Sequence, residues 1–234
     1  MKLRYALAMS ILCLAAGCVG GNSETAATAA AQAALTPAPS APIAAAPKLA
    51  PVKVEITDAS FGCIRDLKPV RGFYVGNLLG NVDASVAAAN NTAGAVYPIG
   101  SVVQLVPGEA MVKHAAGFDA ATNDWEFFEL DVQPAATKIK VRGTTNAVNQ
   151  FGGNCLACHA KAEAKWDMIC EQGHGCDPIP VTPVMAKAIQ NTDPRCAKIE
   201  NLPADQQAAL AQLAAFRAAA ARAAAPVLPE KPQQ

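Results

Sequence analysis

The chain has no surplus of charge of either sign. Its 234 residues carry 19 Lys+Arg against 19 Asp+Glu, and the basic residues form no stripe or patterned cluster, so the electrostatic footprint of a nucleic-acid binder is missing. Internal repeats and a heptad register are missing too, which excludes solenoids and long coiled coils. So is any long hydrophobic run. The most apolar stretch, residues 6–16, is about eleven residues long, where a membrane span needs roughly twenty.

That short run does have a reading. "MKLRYALAMSILCLAAGC" places Lys2 and Arg4 ahead of the apolar residues and small residues after them, the layout of a secretory signal. "LAAGC" resembles a bacterial lipobox, in which Cys18 is lipidated and becomes the mature N-terminus; ordinary cleavage of the signal is the alternative. Either route ends in an oxidising compartment, where disulfides persist. The expectation is a periplasmic protein, lipid-anchored at Cys18, that meets the membrane only through that anchor. Loss of the signal, with Lys2 and Arg4, leaves 17 basic against 19 acidic residues, a net charge of −2.

Residues 19–51 are dominated by Ala, Pro, Ser and Thr, with no apolar spacing that could build a core, and read as a flexible linker. Residues 203–234 hold an Ala-rich run with Leu210, Leu213 and Phe216, stopped by Pro226 and a polar tail. Its helix propensity is strong, and its few apolar residues suit a helix lying on its own domain or pairing with a second copy. One folded domain over residues 52–202 is the simplest division. Alanine in the two tails inflates the 52% apolar fraction.

The middle of the domain reads as strands. "GSVVQLVPGEAMVKH" holds two β-rich runs, residues 101–106 and 109–114, around a Pro107-Gly108 turn signal. "DWEFFELDV" alternates, with Trp125, Phe127 and Glu129 on one face and Glu126, Phe128 and Leu130 on the other. "TKIKV" follows Pro134, and "RGFYVGNLL" precedes them all as another strand; Asp83 is the expected N-cap of a short helix through "ASVAAAN". The fold class expected is α+β, a small antiparallel sheet packed with helices.

The chemistry concentrates in "GGNCLACHAKA", residues 152–162. Cys155, Cys158 and His159 form Cys-x-x-Cys-His. A c-type haem is attached by two thioether bonds from such cysteines to the porphyrin vinyl groups, and the next residue brings an imidazole to the iron. The rival readings are a redox dithiol, which wants a βαβ setting, a plain disulfide, and half a zinc site, which wants a second ligand pair. The Gly- and Asn-rich stretch ahead of it, "GTTNAVNQFGGN", suits a loop that lets backbone approach a porphyrin closely. One covalently held haem c is expected.

With Cys13 and Cys18 in the signal, four cysteines remain, Cys63, Cys170, Cys176 and Cys196, and they allow three pairings. "CEQGHGC" is a compact loop that favours Cys170 with Cys176, leaving Cys63 with Cys196.

The order "YPIGSVVQLV", "GEAMVKH", "DWEFFEL", "FGGNCLACHAKA" resembles the cytochrome P-460 family, including the related cytochromes c′-beta, over roughly residues 70–170. The resemblance implies one haem pocket between the sheet and the Cys-x-x-Cys-His segment, His159 as proximal ligand, an open sixth position on the iron, and a homodimer. It also implies hydroxylamine oxidation or the binding of nitric oxide and similar small ligands. The family's hydroxylamine oxidases carry a porphyrin-linked lysine on the strand after a Pro-x-Gly step; here "SVVQLV" has none, and Lys113 falls on the next strand. The uncross-linked relatives are the nearer match. Leu105, Phe127 and Phe128 are the expected apolar distal wall, and ordinary sheet packing is the alternative for each.

The function expected is therefore binding, and redox conversion, of nitric oxide or a related nitrogen species at the haem, with a redox partner protein. A one-electron carrier with a closed coordination sphere is the alternative, and its sixth ligand would come from His114, His174, Met168 or Met185. Arg142, just ahead of the glycine-rich loop, is either a haem-propionate partner or solvent-facing.

Overall fold

The computed structural model describes residues 52–149 and 152–224. The signal, Cys18 and the linker expected over 19–51 lie outside the described residues, as does the tail beyond 224. Among the described residues no helix is long and apolar enough to cross a membrane.

Six antiparallel strands run side by side in chain order: β1 (Lys68–Val70), β2 (Phe73–Asn77), β3 (Ser101–Gln104), β4 (Glu109–Lys113), β5 (Trp125–Gln133) and β6 (Ala136–Gly143). The fold is α+β, as expected. β1 is an addition to the strands read from the sequence, because a three-residue run beginning Lys-Pro carries little β signal; Pro is tolerated there because β1 is an edge strand. A tight turn at Arg71-Gly72, with Arg71 at φ 51°, folds it back on β2. The Pro107-Gly108 turn joins β3 to β4 and a two-residue turn at Pro134-Ala135 joins β5 to β6.

The helices are α1 (Val82–Asn90), which packs on β1 and β2, α2 (Cys155–His159), α3 (Pro183–Asn191) and α4 (Ala204–Ala224). α1 begins one residue before Asp83, so Asp83 sits in the first turn and not at the cap; its carboxylate there faces the positive end of the helix. α3 starts on Thr182, whose hydroxyl accepts from the Met185 N–H at 3.2 Å, with Pro183 at the first helical position. α4 packs on α3 through Ala209, and the Asn191 amide donates to Gln206 at 2.8 Å. Leu213 of α4 is half-buried and Phe216 is 55% exposed.

Strand alternation splits the core in two. One face of the sheet carries Val75, Val103, Met111, Trp125 and Phe127, covered by Ala89 of α1, by Tyr97, Met168 and Ile169, and by the half-buried Cys155 and Leu156. The opposite face carries Val102, Ala110, Val112, Phe128 and Leu130, covered by Val54, Ile56 and Phe61 from the segment ahead of β1. Three aromatic anchors, Trp125 and Phe127 on the first face and Phe128 on the second, are 2% exposed or less. A bulge between Glu129 and Leu130 re-registers β5 on β6, so that Val141 falls on the first face and Ile139 on the second.

Disulfides join Cys63 to Cys196 and Cys170 to Cys176. The first ties the start of the domain to the residues after α3 across a separation of 133 residues, a loop long enough for cross-linking to contribute about 4–5 kcal/mol by the chain-entropy model. Around it, the Asp193 carboxylate accepts from the Ile64 N–H at 2.9 Å and from Arg195, while Arg195 also donates to the Phe61 carbonyl and the Thr137 hydroxyl. Burial pushes the Asp193 carboxyl up, but these hydrogen bonds outweigh it and hold it below the ordinary carboxylate range.

Candidate functional site

The Cys-x-x-Cys-His segment is presented by a loop that the sequence ties into shape. Asn149 donates from its N–H to the Gly153 carbonyl and accepts at Oδ1 from the Gly153 N–H, both at 2.9 Å, and Gly152 takes a left-handed φ of 79° to close the turn. The Cys155 N–H then reaches the Ala147 carbonyl at 3.0 Å. Asn154 holds both sides: its amide donates to the Thr145 carbonyl and its Oδ1 accepts from the Ala157 N–H, each at 2.8 Å. α2 therefore starts on a side-chain cap, and one helical turn brings residues 155 and 158 onto the same side.

The described cysteines fall into two groups. Cys63, Cys170, Cys176 and Cys196 are bridged; Cys155 and Cys158 are free thiols. Burial, and after it the nearby Glu109 and Glu129, push the Cys155 thiol up to about 11. A redox dithiol needs the opposite, a thiol shifted down toward thiolate. With Cys170 and Cys176 bridged, the second pair that zinc would require is spent, and among the described residues no group of three or more His, Cys, Asp or Glu stands where it could hold a metal ion.

His159 ends α2 and turns into the domain. Its Nδ1 lies 2.8 Å from the Met168 carbonyl oxygen and its ring is 5.3 Å from that of Phe127. Burial pushes its pKa down, against the pull of that hydrogen bond, so the imidazole is neutral at physiological pH. A neutral ring whose Nδ1–H is donated to a carbonyl has its lone pair at Nε2, the form in which histidine binds a metal. Behind α2 the Cys170–Cys176 loop folds against the chain: the Glu163 N–H donates to the His174 carbonyl at 2.8 Å, and a Cβ at Gly175, φ 99°, would meet the Lys161 carbonyl oxygen at 2.8 Å.

The sheet brings two acids to the same side. Glu109 and Glu129 are direct cross-strand partners on β4 and β5, facing Cys155 closely enough to raise its thiol. Burial, and then the neighbouring Glu129 charge, push the Glu109 carboxyl up to about 7, although Asn149 hydrogen-bonds it. These two residues, with Leu105, Ile179, Val181 and Ile189, line a cavity of about 340 Å³. A larger hollow of about 610 Å³ beside Cys196 and Leu202 contains none of the residues of this site.

The expected distal residues separate. Leu105 packs on the face that carries Phe127 and lines the cavity with the two acids. Phe128 does not join them. It points to the opposite face, 5.1 Å from the Phe61 ring, because neighbours on a strand face opposite ways. Arg142 is likewise on that far face, donating to both Glu126 carboxylate oxygens at 2.7 and 2.8 Å. His114 is side-chain buried against the same carboxylate at 2.9 Å and stacked on Phe118 at 3.7 Å. His174 gives Nδ1 to the Ile169 carbonyl at 2.7 Å and stacks on Trp166 at 3.8 Å. Met168 is buried in the core and Met185 sits on α3. Lys113 is engaged by Asp167 at 2.7 Å.

Glu109, Glu129 and the Met168 carbonyl were not singled out in the sequence. A charged residue at an inward position of an alternating strand was the available signal for Glu129; for Glu109 it was the cross-strand register, which sequence alone does not supply.

No protein-family model, no curated protein and no solved structure matches this chain.

Proposed function

We propose that the chain is an exported c-type haem protein of the cytochrome P-460 kind, lipid-anchored at Cys18 in the periplasm, that binds nitric oxide or a related small nitrogen species. The observation that carries the reading is the state of the Cys-x-x-Cys-His turn. Cys155 and Cys158 remain thiols while every other described cysteine is bridged, and His159 has committed Nδ1 to a carbonyl and kept Nε2. That donor set fits one haem c: the two sulfurs as thioether anchors and Nε2 as the proximal ligand. When bound, the group supplies an iron that can take a further ligand and change oxidation state.

The chain's own residues do the rest. Phe127 and Leu105 give the sheet side of the site an apolar portion beside the two acids, which suits neutral diatomic ligands. Glu109, poised near neutrality, can hold a proton beside a small ligand and give it up. The commitments of His114 and His174 elsewhere favour an open sixth position over the electron-carrier alternative. "SVVQLV" contains no lysine, so hydroxylamine oxidation through a cross-linked porphyrin is not part of the proposal. A homodimer and a redox partner protein belong to the proposal through the family resemblance alone.

The test is the full chain expressed with haem-ligation machinery. An intact mass increased by one haem, with a high-spin ferrous spectrum that changes on adding carbon monoxide, is the expected result. A colourless product with Cys155 bonded to Cys158 would overturn the haem reading. A loaded but low-spin iron indifferent to carbon monoxide would select the electron carrier.

A further inference from the structure

The turn that follows α2 is built in an unfavourable conformation and held there from several sides. Asp167 and Met168 are consecutive non-glycine residues at φ 49° and 67°, a left-handed pair that persists only where the surroundings over-determine it. Met168 is the residue whose carbonyl accepts from His159 Nδ1. The residue before it, Asp167, is held at all three of its oxygens: its carbonyl accepts from the Trp125 indole N–H at 2.8 Å, Oδ2 accepts from the Tyr97 N–H at 2.9 Å, and both carboxylate oxygens accept from Lys113 Nζ at 2.7 and 2.8 Å.

Lys113 is fixed in turn. Its ammonium also donates to the Asn123 carbonyl at 2.6 Å and lies 5.1 Å from the centre of the Trp125 ring. Asn123 and Asp124 form a second left-handed pair, at φ 49° and 63°, so one lysine clasps two strained turns. Lys113 and Asp167 are 5% and 2% exposed, and Trp125 is fully buried. A buried ion pair is a poor way to gain stability, since desolvation offsets the attraction. It is a good way to fix a geometry.

We infer that Lys113 and Asp167 are positioning residues for His159: the pair locks the 167–168 turn so that the Met168 carbonyl faces Nδ1, which fixes the imidazole tautomer and aims Nε2. The inference deepens the haem reading and rests on it for the identity of what Nε2 binds. An outer partner of this kind raises the basicity of a ligating imidazole and holds its ring orientation. It also gives Lys113, the first lysine after the "SVVQLV" strand, a use other than attachment to a porphyrin.

The test uses full-length wild type, Asp167→Asn, Lys113→Met and, as a control on the opposite face, Arg142→Gln, each as loaded and haem-free chain. In the haem-free chain, nitrogen-correlated NMR of the histidine ring reads the tautomer. Wild type and Arg142→Gln are expected to show His159 almost wholly as the Nδ1–H form, and the two strut variants a several-fold rise in the Nε2–H form. In the loaded ferrous chain, the iron–histidine stretch in resonance Raman should fall in both strut variants, remain in the control, and be restored in Lys113→Arg. Should a single substitution prevent folding, the uncharged pair Lys113→Met/Asp167→Asn replaces it. Unchanged tautomer and unchanged stretch in folded strut variants would overturn the inference and leave the haem reading standing. Wild type that accepts no haem would defeat the haem reading, and the tautomer measurement would still decide the strut.

Discussion

The two faces of the sheet treat buried glutamates in opposite ways. On the far face, Glu126 meets Arg142 through both carboxylate oxygens and His114 through one. Burial pushes its carboxyl up, yet the hydrogen bonds from His114 and Arg142 outweigh it and hold it below the ordinary range. Three residues along the same strand but on the near face, Glu129 stands directly across from another acid, and Glu109 is pushed up to about 7. The far-face acid is paired with the Arg142 guanidinium and finished as structure. The near-face pair is set acid against acid, an arrangement that, with burial, raises Glu109 and costs stability where both are charged.

The sharpest way to break the comparison is at the anchors. Cys155→Ser with Cys158→Ser should abolish covalent haem completely, seen as loss of haem staining after denaturing electrophoresis, with thermal unfolding of the haem-free chain little altered. The next largest effect separates the aromatics. Phe128→Ala should lower stability by about 3–5 kcal/mol, the usual cost of emptying a buried Phe site, and leave the ferrous spectrum of the loaded protein as it was; Phe127→Ala should disturb both. Equal spectral effects of the two would erase the distinction between the faces.

Proton linkage gives a third contrast. Because the folded Glu109 pKa of about 7 lies above its ordinary 4.5, the folded chain binds the extra proton, and stability falls as pH rises from about 4.5 through 7. The loss is roughly 3 kcal/mol at most by the linkage relation. Glu126 and Asp193, shifted down, contribute stability that is lost as pH falls through their folded pKa values, below the ordinary carboxylate range. Urea midpoints of haem-free Glu109→Gln against pH should lose the decline between 4.5 and 7 and keep the acid limb. The smallest effect is expected from Arg142→Gln: its side chain is 46% exposed, so about 0.5–1 kcal/mol is lost, with no change in ligand binding.

Much of this was legible in the residues. Alternation in "DWEFFELDV" assigns the faces of Trp125 through Leu130, and taken strictly it sets Phe128 on the face opposite Phe127. The Pro107-Gly108 turn located β3 and β4. What could not be read was register and unusual backbone. Glu109 opposite Glu129 depends on pairing between strands, and the left-handed Asp167-Met168 turn has neither Gly nor Asn to announce it. The polar residues with distant partners, Lys113 with Asp167 and Arg142 with Glu126, look like ordinary strand-end charges until the chain is folded.

The raised Cys155 thiol bears on how such a protein matures. In the compartment proposed for it, the four bridged and two free sulfurs would face the same oxidants, and disulfide exchange proceeds through the thiolate. Cys170 and Cys176 are six residues apart and can meet early. A shift of the Cys155 thiol from 9.0 to about 11 cuts its thiolate population about a hundredfold. If the proposed haem attachment holds, the fold thereby sorts its own sulfurs, with four of them bridged and residue 155 kept protonated for the thioether bond.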